Sequence, residues 1–160
     1  MNNIGDFMKV VFLDIDGVLN HSLFIGERTP SGVIGIKDEL VENLKEIIIN
    51  TNAKIVLISD WKDLWEKDEN KCGKDALYLN KKLKDKELFI YDKTLNDFTK
   101  DRGCGVYEYI KNNNVKKFVI LDDVDNPDYV KFNLSQNFIK TNKKTGLSKE
   151  DIIKAINILN

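Results

Sequence analysis

The chain of 160 residues contains a single histidine, His21, and this scarcity limits its chemistry. One histidine excludes zinc sites built on two or three histidines, and it leaves a Ser-His-Asp triad only one candidate base. The two cysteines, Cys72 and Cys104, form no CxxC pair, so we expect no disulfide framework and a reduced, cytoplasmic location. Any reaction must therefore use mainly carboxylates, hydroxyls and basic side chains.

The sequence also lacks long apolar runs and an excess of charge of either sign. No run approaches the ~18 apolar residues that span a bilayer, and residues 1–8 lack the basic start and apolar stretch of a secretory signal. Lys and Arg number 25 against 26 Asp and Glu, so composition indicates neither a nucleic-acid nor a membrane partner. The length is that of one domain, which we expect to extend over residues 1–160.

Short apolar runs alternate with longer helical patterns along the chain. The runs predict five strands, over 10–13, 54–58, 88–91, 117–121 and 138–139. Apolar residues at helical spacing predict helices over 37–50, 103–113 and 148–159, the last with a capping box of Ser148 and Asp151. Two further segments, 61–70 and 74–84, are predicted as highly charged helices with a solvated face.

Strands that are almost wholly apolar, each followed by a helix, are typical of a parallel sheet covered on both faces. The sequence therefore predicts an α/β fold with right-handed crossovers. In such sheets the binding site lies beyond the carboxyl ends of the strands. The residues that end the strands are thus the first candidates for function.

Carboxylates follow two of the predicted strands. Asp14 and Asp16 follow the first strand, and Asp122 and Asp123 follow the fourth. At the rise of a strand, Asp14 and Asp16 point to one side with Cα atoms roughly 6.6 Å apart, and Gly17 allows a sharp turn beyond them. The convergence of four like charges favours a divalent cation, and ligands that are oxygen only favour Mg²⁺. The sequence therefore predicts a magnesium site formed by these four aspartates.

Two other residues are candidates for holding an anion. Ser59 ends the second strand with a hydroxyl that could hold an anionic oxygen. Arg102 opens the predicted helix 103–113, where a cation opposes the helix dipole by ~0.3–1 kcal/mol, and such departures from a local rule are typical of functional positions. We expect Arg102 to bind an anion beside Ser59, with Lys100 as the alternative.

These residues resemble the motifs of the haloacid dehalogenase (HAD) superfamily. The first motif is similar to FLDIDGVL at 12–19, the second to IVLIS at 55–59 and the fourth to VILDD at 119–123, with Arg102 as the basic residue of the third. The motifs stand in the family's order at predicted strand ends. The resemblance extends from about Lys9 to Leu147.

Within the superfamily the chain most resembles the small HAD domain of composite RNA-repair proteins. The shared features are DGVLN at 16–20, SDWK at 59–62 where that group has Ser-Ser-Trp-Arg, Arg102-Gly103, and GLS at 146–148 where it has Gly-Leu-Thr. Gly105 stands where a glutamate is expected.

The resemblance implies a Rossmann-like fold of three layers, with a mostly parallel five-stranded sheet in the order 5-4-1-2-3. It also implies an aspartyl-phosphate mechanism. Only residues 20–36 and 60–87 are available for a cap, so a minimal cap and an open site are expected.

The resemblance also implies a role for each candidate residue. Asp14 would attack phosphorus, and Asp16 would protonate the leaving oxygen and then activate water. Ser59 and Arg102 would hold the phosphoryl oxygens. Mg²⁺ would be held by the Asp14 carboxylate, the Asp16 backbone carbonyl and either Asp122 or Asp123.

The predicted function is a Mg²⁺-dependent phosphomonoester hydrolase. An open site suits a bulky phosphorylated substrate, so RNA or DNA ends and nucleotides are the candidates. The alternative is a non-catalytic HAD-fold module that binds a phosphorylated partner, but such a module has no need of both Asp14 and Asp16. A receiver domain would place its acceptor at the third strand end, where Asp92 lies, yet the Asp-x-Asp-Gly turn is foreign to that pattern.

Several nearby residues favour structural interpretations. Trp61 and Trp65 are spaced to pack together, and Asp125 and Asp128 are typical of a turn around Pro127. The segment 140–149 carries four lysines without an acid, which is typical of an exposed loop and could steer a polyanion.

Overall fold

A parallel sheet forms the centre of the fold. The computed structural model describes residues 7–95 and 101–160. Within these ranges the strands are β1 (Met8–Leu13), β2 (Lys54–Leu57), β3 (Ile90–Lys93), β4 (Val115–Asp122) and β5 (Phe138–Lys140). They form one sheet in the order β3-β2-β1-β4-β5, and every neighbouring pair is parallel. This is the predicted order read from the other edge, so the predicted α/β, Rossmann-like fold is confirmed.

The last part of the central strand, residues 10–13, is apolar throughout. Val11 and Leu13 of β1 pack into the core on one face of the sheet, and Val10 and Phe12 pack into the core on the other. All four side chains are fully buried. The part of a strand that is covered on both faces has no position left for a solvated side chain.

Helices cover both faces and complete three layers. The helices in the described residues are α1 (Asp38–Thr51), α2 (Lys74–Lys84), α3 (Arg102–Asn112), α4 (Pro127–Lys131) and α5 (Lys149–Leu159). The first, second and fifth bury their apolar faces in one core, whereas α3 and α4 contribute to the other. The capping box of Ser148 and Asp151 that starts α5 is present, as predicted.

The predicted helix over 61–70 is wrong. Two short 3-10 turns, Asp60–Leu64 and Glu69–Lys71, occupy this segment. The ammonium group of Lys93 donates to the backbone carbonyls of Lys62 and Trp65, at 3.0 and 2.6 Å, so these carbonyls do not continue an α-helix.

The expectation of a solvated face over 61–84 also needs correction. Trp61 and Trp65 are buried, and α2 buries Ala76, Leu79 and Leu83 in the core. The apolar residues between the charged ones thus form a stripe on one side of α2, and this stripe packs against the core.

The segment between β1 and α1 is a small extension held against α2. Its only bridge among the described residues is an isolated antiparallel pair, Arg28 and Ile34. The Tyr78 hydroxyl donates to Glu27 at 2.5 Å and accepts from the Ile36 amide at 2.9 Å, which anchors the segment. The cap in this part of the chain is therefore minimal.

Two further features concern the predicted cellular location of the protein. Cys72 and Cys104 are both free thiols. None of the helices between residues 7 and 95 or 101 and 160 combines the length and apolar character needed to cross a bilayer. The domain bounds and the cytoplasmic location stay predictions.

Candidate active site

Three carboxylates meet at the carboxyl edge of the two central strands. Because Leu13 of β1 lies opposite Leu121 of β4, Asp14 and Asp122 leave the sheet side by side. The Asp14 amide donates to the Leu121 carbonyl at 2.9 Å, which continues the ladder by one residue. Carboxylate oxygens of Asp14, Asp122 and Asp123, named here the carboxylate cluster, lie within 4.8 Å of one another.

A tight turn brings Asp123 into the carboxylate cluster. Gly17 has a φ of 78°, and a Cβ at this position would overlap the Asp123 carboxyl group. Only glycine meets both demands, because other residues avoid this φ and have no space for a side chain. Thr141, buried after β5, fixes the turn: its hydroxyl donates to the Gly17 carbonyl at 2.8 Å and its amide to the Asp122 carbonyl at 2.9 Å.

Electrostatic strain is concentrated in the carboxylate cluster. Burial, followed by the nearby charge of Asp122, raises the pKa of Asp14 well above its usual range, and Arg102 opposes the rise. Burial and Asp122 also raise the pKa of Asp123. Three acids thus share one guanidinium, and their uncompensated charge requires a further cation or a proton.

Arg102 bridges the acids around it. Its Nη1 lies 2.8 Å from Asp122 Oδ2 and 3.5 Å from Asp14 Oδ1, and its Nη2 lies 3.3 Å from Asp60 Oδ1. Burial disfavours the guanidinium charge, but Asp14 and Asp122 outweigh that effect and raise the pKa of Arg102. Its buried Nε has no hydrogen-bond partner within the described ranges.

The helix that begins at Arg102, α3, is capped by a residue from another helix. The side chain of Asp101 makes no capping bond, and Asp128 of α4 instead accepts from the Cys104 amide at 3.0 Å. A Cβ on Gly103 would lie 2.7 Å from Asp128 Cγ, so the Arg102-Gly103 pair needs its glycine. Asp128 therefore caps α3 and offsets the unfavourable cation at its first residue.

Asp16 lies outside the carboxylate cluster, contrary to the expectation that four carboxylates converge. β1 ends at Leu13, so the alternation of an extended strand no longer applies at Asp16. Its exposed carboxylate accepts from Asn20 Nδ2 at 2.9 Å and from Trp61 Nε1 at 3.1 Å. Asn20 also accepts from the Gly17 amide at 3.0 Å. We name Asp16, Asn20 and Trp61 the Asp16 clamp.

Ser59 lies beside the carboxylate cluster at the end of the neighbouring strand. The Ile58 amide donates to the Leu13 carbonyl at 3.0 Å, so Ser59 emerges next to Asp14. The side chain is buried, and its hydroxyl accepts from the Trp61 amide at 3.4 Å. Lys100, the alternative to Arg102 as anion clamp, lies outside the described residues.

Residues that sequence reasoning missed complete the surroundings of Asp122. The Tyr129 hydroxyl donates to Asp122 Oδ2 at 2.6 Å, and Asn126 Nδ2 donates to the same atom at 3.1 Å. Burial and the Asp122 charge raise the pKa of Tyr129, so its hydroxyl stays a donor. DGVLN contains Asn20, so that motif could have indicated it, whereas no local signal marks Tyr129 or Thr141.

The fold and site together define a HAD-type domain, with acids after β1 and β4 and a buried arginine between them. Residues 10–152 match the family model described as the HAD domain in Swiss Army Knife RNA repair proteins. The chain belongs to this family, and the predicted resemblance is confirmed. Comparisons with curated proteins and with solved structures found no match.

The carboxylate cluster fits the cation that HAD domains generally use. Its donors are oxygens only, which suits a hard ion such as Mg²⁺. Burial and the neighbouring Asp122 raise the pKa values of Asp14 and Asp123, and a cation bound there would offset the repulsion between these acids. The cluster could therefore hold Mg²⁺ through Asp14, Asp122 and Asp123.

Proposed function

We propose that the protein is a Mg²⁺-dependent phosphomonoester hydrolase that works through an aspartyl-phosphate intermediate. The observation that carries this proposal is the contrast between two acids of one turn. Asp14 is buried among acids that fit a cation, whereas Asp16 is exposed and held by two neutral donors. Different surroundings for paired carboxylates are what a nucleophile and an acid–base group require.

The two acids divide the reaction into two half-reactions. In the first, an Asp14 carboxylate oxygen bonds to phosphorus, the bond to the ester oxygen breaks, and Asp16 gives that oxygen a proton. In the second, Asp16 takes a proton from water, whose oxygen bonds to phosphorus and releases Asp14 and inorganic phosphate. One acid–base group serves both steps because the first leaves it ready for the second.

The cluster and its neighbours supply charge and position. A bound Mg²⁺ would be held by Asp14, Asp122 and Asp123, with the Asp16 backbone carbonyl as a further ligand, and would neutralise charge on the phosphoryl group. The guanidinium of Arg102 and the Ser59 hydroxyl would hold phosphoryl oxygens. Phosphoryl transfer depends mostly on such positioning and neutralisation.

We extend the proposal to the substrate class: phosphorylated nucleic-acid ends or nucleotides. The minimal cap supports a substrate larger than a small metabolite, because little of the chain is available to enclose one. The family description, which names RNA repair proteins, supports the same class.

The decisive test measures phosphate release from an aryl phosphate, nucleoside monophosphates and end-phosphorylated oligonucleotides. We expect turnover with Mg²⁺, none in EDTA, and none for Asp14→Asn. Radiolabelled phosphate should remain on acid-quenched wild type and be absent from Asp14→Asn. Asp85→Asn, an acid-to-amide change on an exposed residue at the end of α2, is the matched control and should keep full activity.

Two results would contradict the proposal. Equal turnover by wild type and Asp14→Asn would exclude Asp14 as nucleophile. Binding of phosphorylated ligands by a folded wild type that releases phosphate from none of them would favour the non-catalytic module instead.

A further inference from the structure

We propose that a groove beside the carboxylate cluster binds a second phosphate of the substrate, which makes an oligonucleotide a better substrate than a mononucleotide. The lysine groove, as we name it, has a volume of about 640 Å³ and is lined by Asp123, Val124, Asp125, Lys140, Thr141, Asn142 and Lys143. This inference rests on the proposed function, because it assigns the neighbour of the reacting phosphate.

The groove is continuous with the site. Asp123 belongs both to the carboxylate cluster and to the groove wall. Thr141 in the groove makes the two hydrogen bonds that fix the Gly17 turn, and Lys140 lies opposite Asp122 in the β4–β5 register. A phosphate bound at the cluster therefore has this groove as a direct continuation.

The lysines of the groove are not paired with acidic side chains in the part of the chain that the structure describes. Lys140 and Lys143, with Lys144 next to them, are exposed and make no ion pair within the described ranges. Lys149, from the same basic stretch, is instead paired with Glu46 at 3.2 Å. Unpaired ammonium groups are the ones that can neutralise a phosphate without first losing a partner.

The backbone beneath these lysines is fixed, which lowers the cost of ordering them. The Ser22 amide donates to the Lys143 carbonyl at 2.9 Å. Asn142 accepts from the Lys144 amide at 2.9 Å through its side chain, within a turn that ends at Gly146. The strand end and the turn thus present the lysines from a rigid base.

The composition of the groove indicates which part of a nucleic acid it meets. The residues that line it include no aromatic side chain, so no platform for stacking a base is present there. Lysines that meet phosphates position a strand without reading its sequence. Asp125 on the same wall opposes a polyanion, so its neutralisation should strengthen binding.

The test compares Lys140→Gln/Lys143→Gln with wild type on two substrates, an end-phosphorylated oligonucleotide and an aryl phosphate. We expect kcat/KM for the oligonucleotide to fall about tenfold while that for the aryl phosphate stays unchanged. The salt dependence of oligonucleotide binding should flatten by roughly 0.7 per lysine in the log–log slope. Asp125→Asn should raise kcat/KM for the oligonucleotide about twofold.

The matched control is Lys71→Gln/Lys116→Gln, which removes the same charge from exposed lysines outside the groove. It should leave both substrates unaffected. Equal loss from both lysine pairs, or equal loss on both substrates, would overturn the inference. A lysine-dependent preference for an acidic phosphopeptide over the oligonucleotide would overturn its nucleic-acid assignment.

Binding separates this inference from the proposed function. Fluorescence anisotropy of a labelled, end-phosphorylated oligonucleotide needs no turnover. If wild type releases no phosphate yet binds the oligonucleotide more tightly than Lys140→Gln/Lys143→Gln, the proposed hydrolase fails and the groove stands. If turnover is normal and both proteins bind the oligonucleotide equally, the groove fails and the hydrolase stands.

Discussion

The carboxylate cluster and the Asp16 clamp begin in the same turn of the chain and have opposite physical characters. The carboxylate cluster gathers like charges in a buried position, and burial with Asp122 raises the pKa of Asp14. The Asp16 clamp holds one exposed carboxylate with two uncharged donors, Asn20 and Trp61. The first arrangement needs a cation or a proton to offset its charge, whereas the second is complete in the protein alone.

A separation of two residues is enough to place two acids in different surroundings. β1 ends at Leu13, just before the first acid, and the positive φ of Gly17 turns the backbone just after the second. Because Asp14 lies inward and Asp16 outward, variants can disturb one region and leave the other intact.

The largest expected effect is the loss of the guanidinium from the carboxylate cluster. Arg102→Ala leaves buried Asp14 and Asp122 without their bridging cation, which should lower the free energy of unfolding by about 3–5 kcal/mol. Urea denaturation in EDTA measures this change.

The other arginine of the chain, exposed Arg28, supplies the matched control. Arg28→Ala should cost less than about 0.5 kcal/mol. If Arg102→Ala itself fails to fold, Arg102→Lys, which keeps the charge and loses the fork, should fold with an intermediate stability. Similar losses of unfolding free energy in Arg102→Ala and Arg28→Ala would show that the ion pairs of Arg102 with Asp14 and Asp122 do not stabilise the fold.

The second effect is stabilisation of the carboxylate cluster by its cation. At a Mg²⁺ concentration of about 100 times Kd, the free energy of unfolding should rise by about 2.7 kcal/mol. In EDTA, stability should fall as the pH rises from 3.8, the ordinary value for an aspartate, through the raised pKa values of Asp14 and Asp123. The sign follows because the folded state binds protons more tightly than the unfolded state there.

Thermal unfolding at several pH values, with Mg²⁺ or EDTA, measures both dependences. Asp14→Asn should reduce both, because it removes a ligand and a repelling charge. Stability in EDTA that rises over the same pH window would contradict the prediction.

The third effect concerns the Asp16 clamp alone. Trp61→Phe keeps an aromatic ring at this buried position and removes the N–H that holds Asp16, so kcat should fall about tenfold with KM for an aryl phosphate unchanged. Trp65→Phe is the matched control, since its N–H donates to Asn80 at 3.0 Å and not to Asp16. Equal losses of kcat from the two variants would assign Trp61 a packing role only.

The smallest effect is the loss of one donor behind the carboxylate cluster. Tyr129→Phe removes the 2.6 Å hydrogen bond to Asp122 and should lower the free energy of unfolding by about 1–2 kcal/mol in EDTA. Part of that loss should disappear with Mg²⁺, which supplies Asp122 with another partner. Chemical denaturation with and without Mg²⁺ tests this, and an identical loss in both conditions would count against it.

The sequence predicts those features of the fold and site that follow from the order of apolar runs and acidic residues along the chain. Buried strands appear as apolar runs, and parallel order places Asp14 beside Asp122, so the sheet and the cluster could be anticipated. The direction of Asp16 could not, because it depends on where β1 stops. Nor could the short helix α4 or Tyr129, whose hydroxyl is placed by tertiary packing.

The conformation of the segment after β2 also depends on tertiary contacts, so the sequence pattern does not predict it. Charges at helical spacing over 61–70 indicate an α-helix, yet burial of Trp61 and Trp65 and the reach of Lys93 impose two short turns. The two turns place the indole N–H of Trp61 within hydrogen-bond distance of Asp16. Residue spacing alone does not predict this contact.

The hydrogen bond from Thr141 to Gly17 joins residues 124 positions apart. At ~5–20 residues per second, a ribosome needs roughly 6–25 s to go from the first partner to the second. Throughout that interval the nascent chain carries both acids of the first motif and lacks the residue that fixes the turn just after them. The complete candidate site thus forms only with the last strand, so the order of synthesis would delay the proposed activity until the sheet is complete.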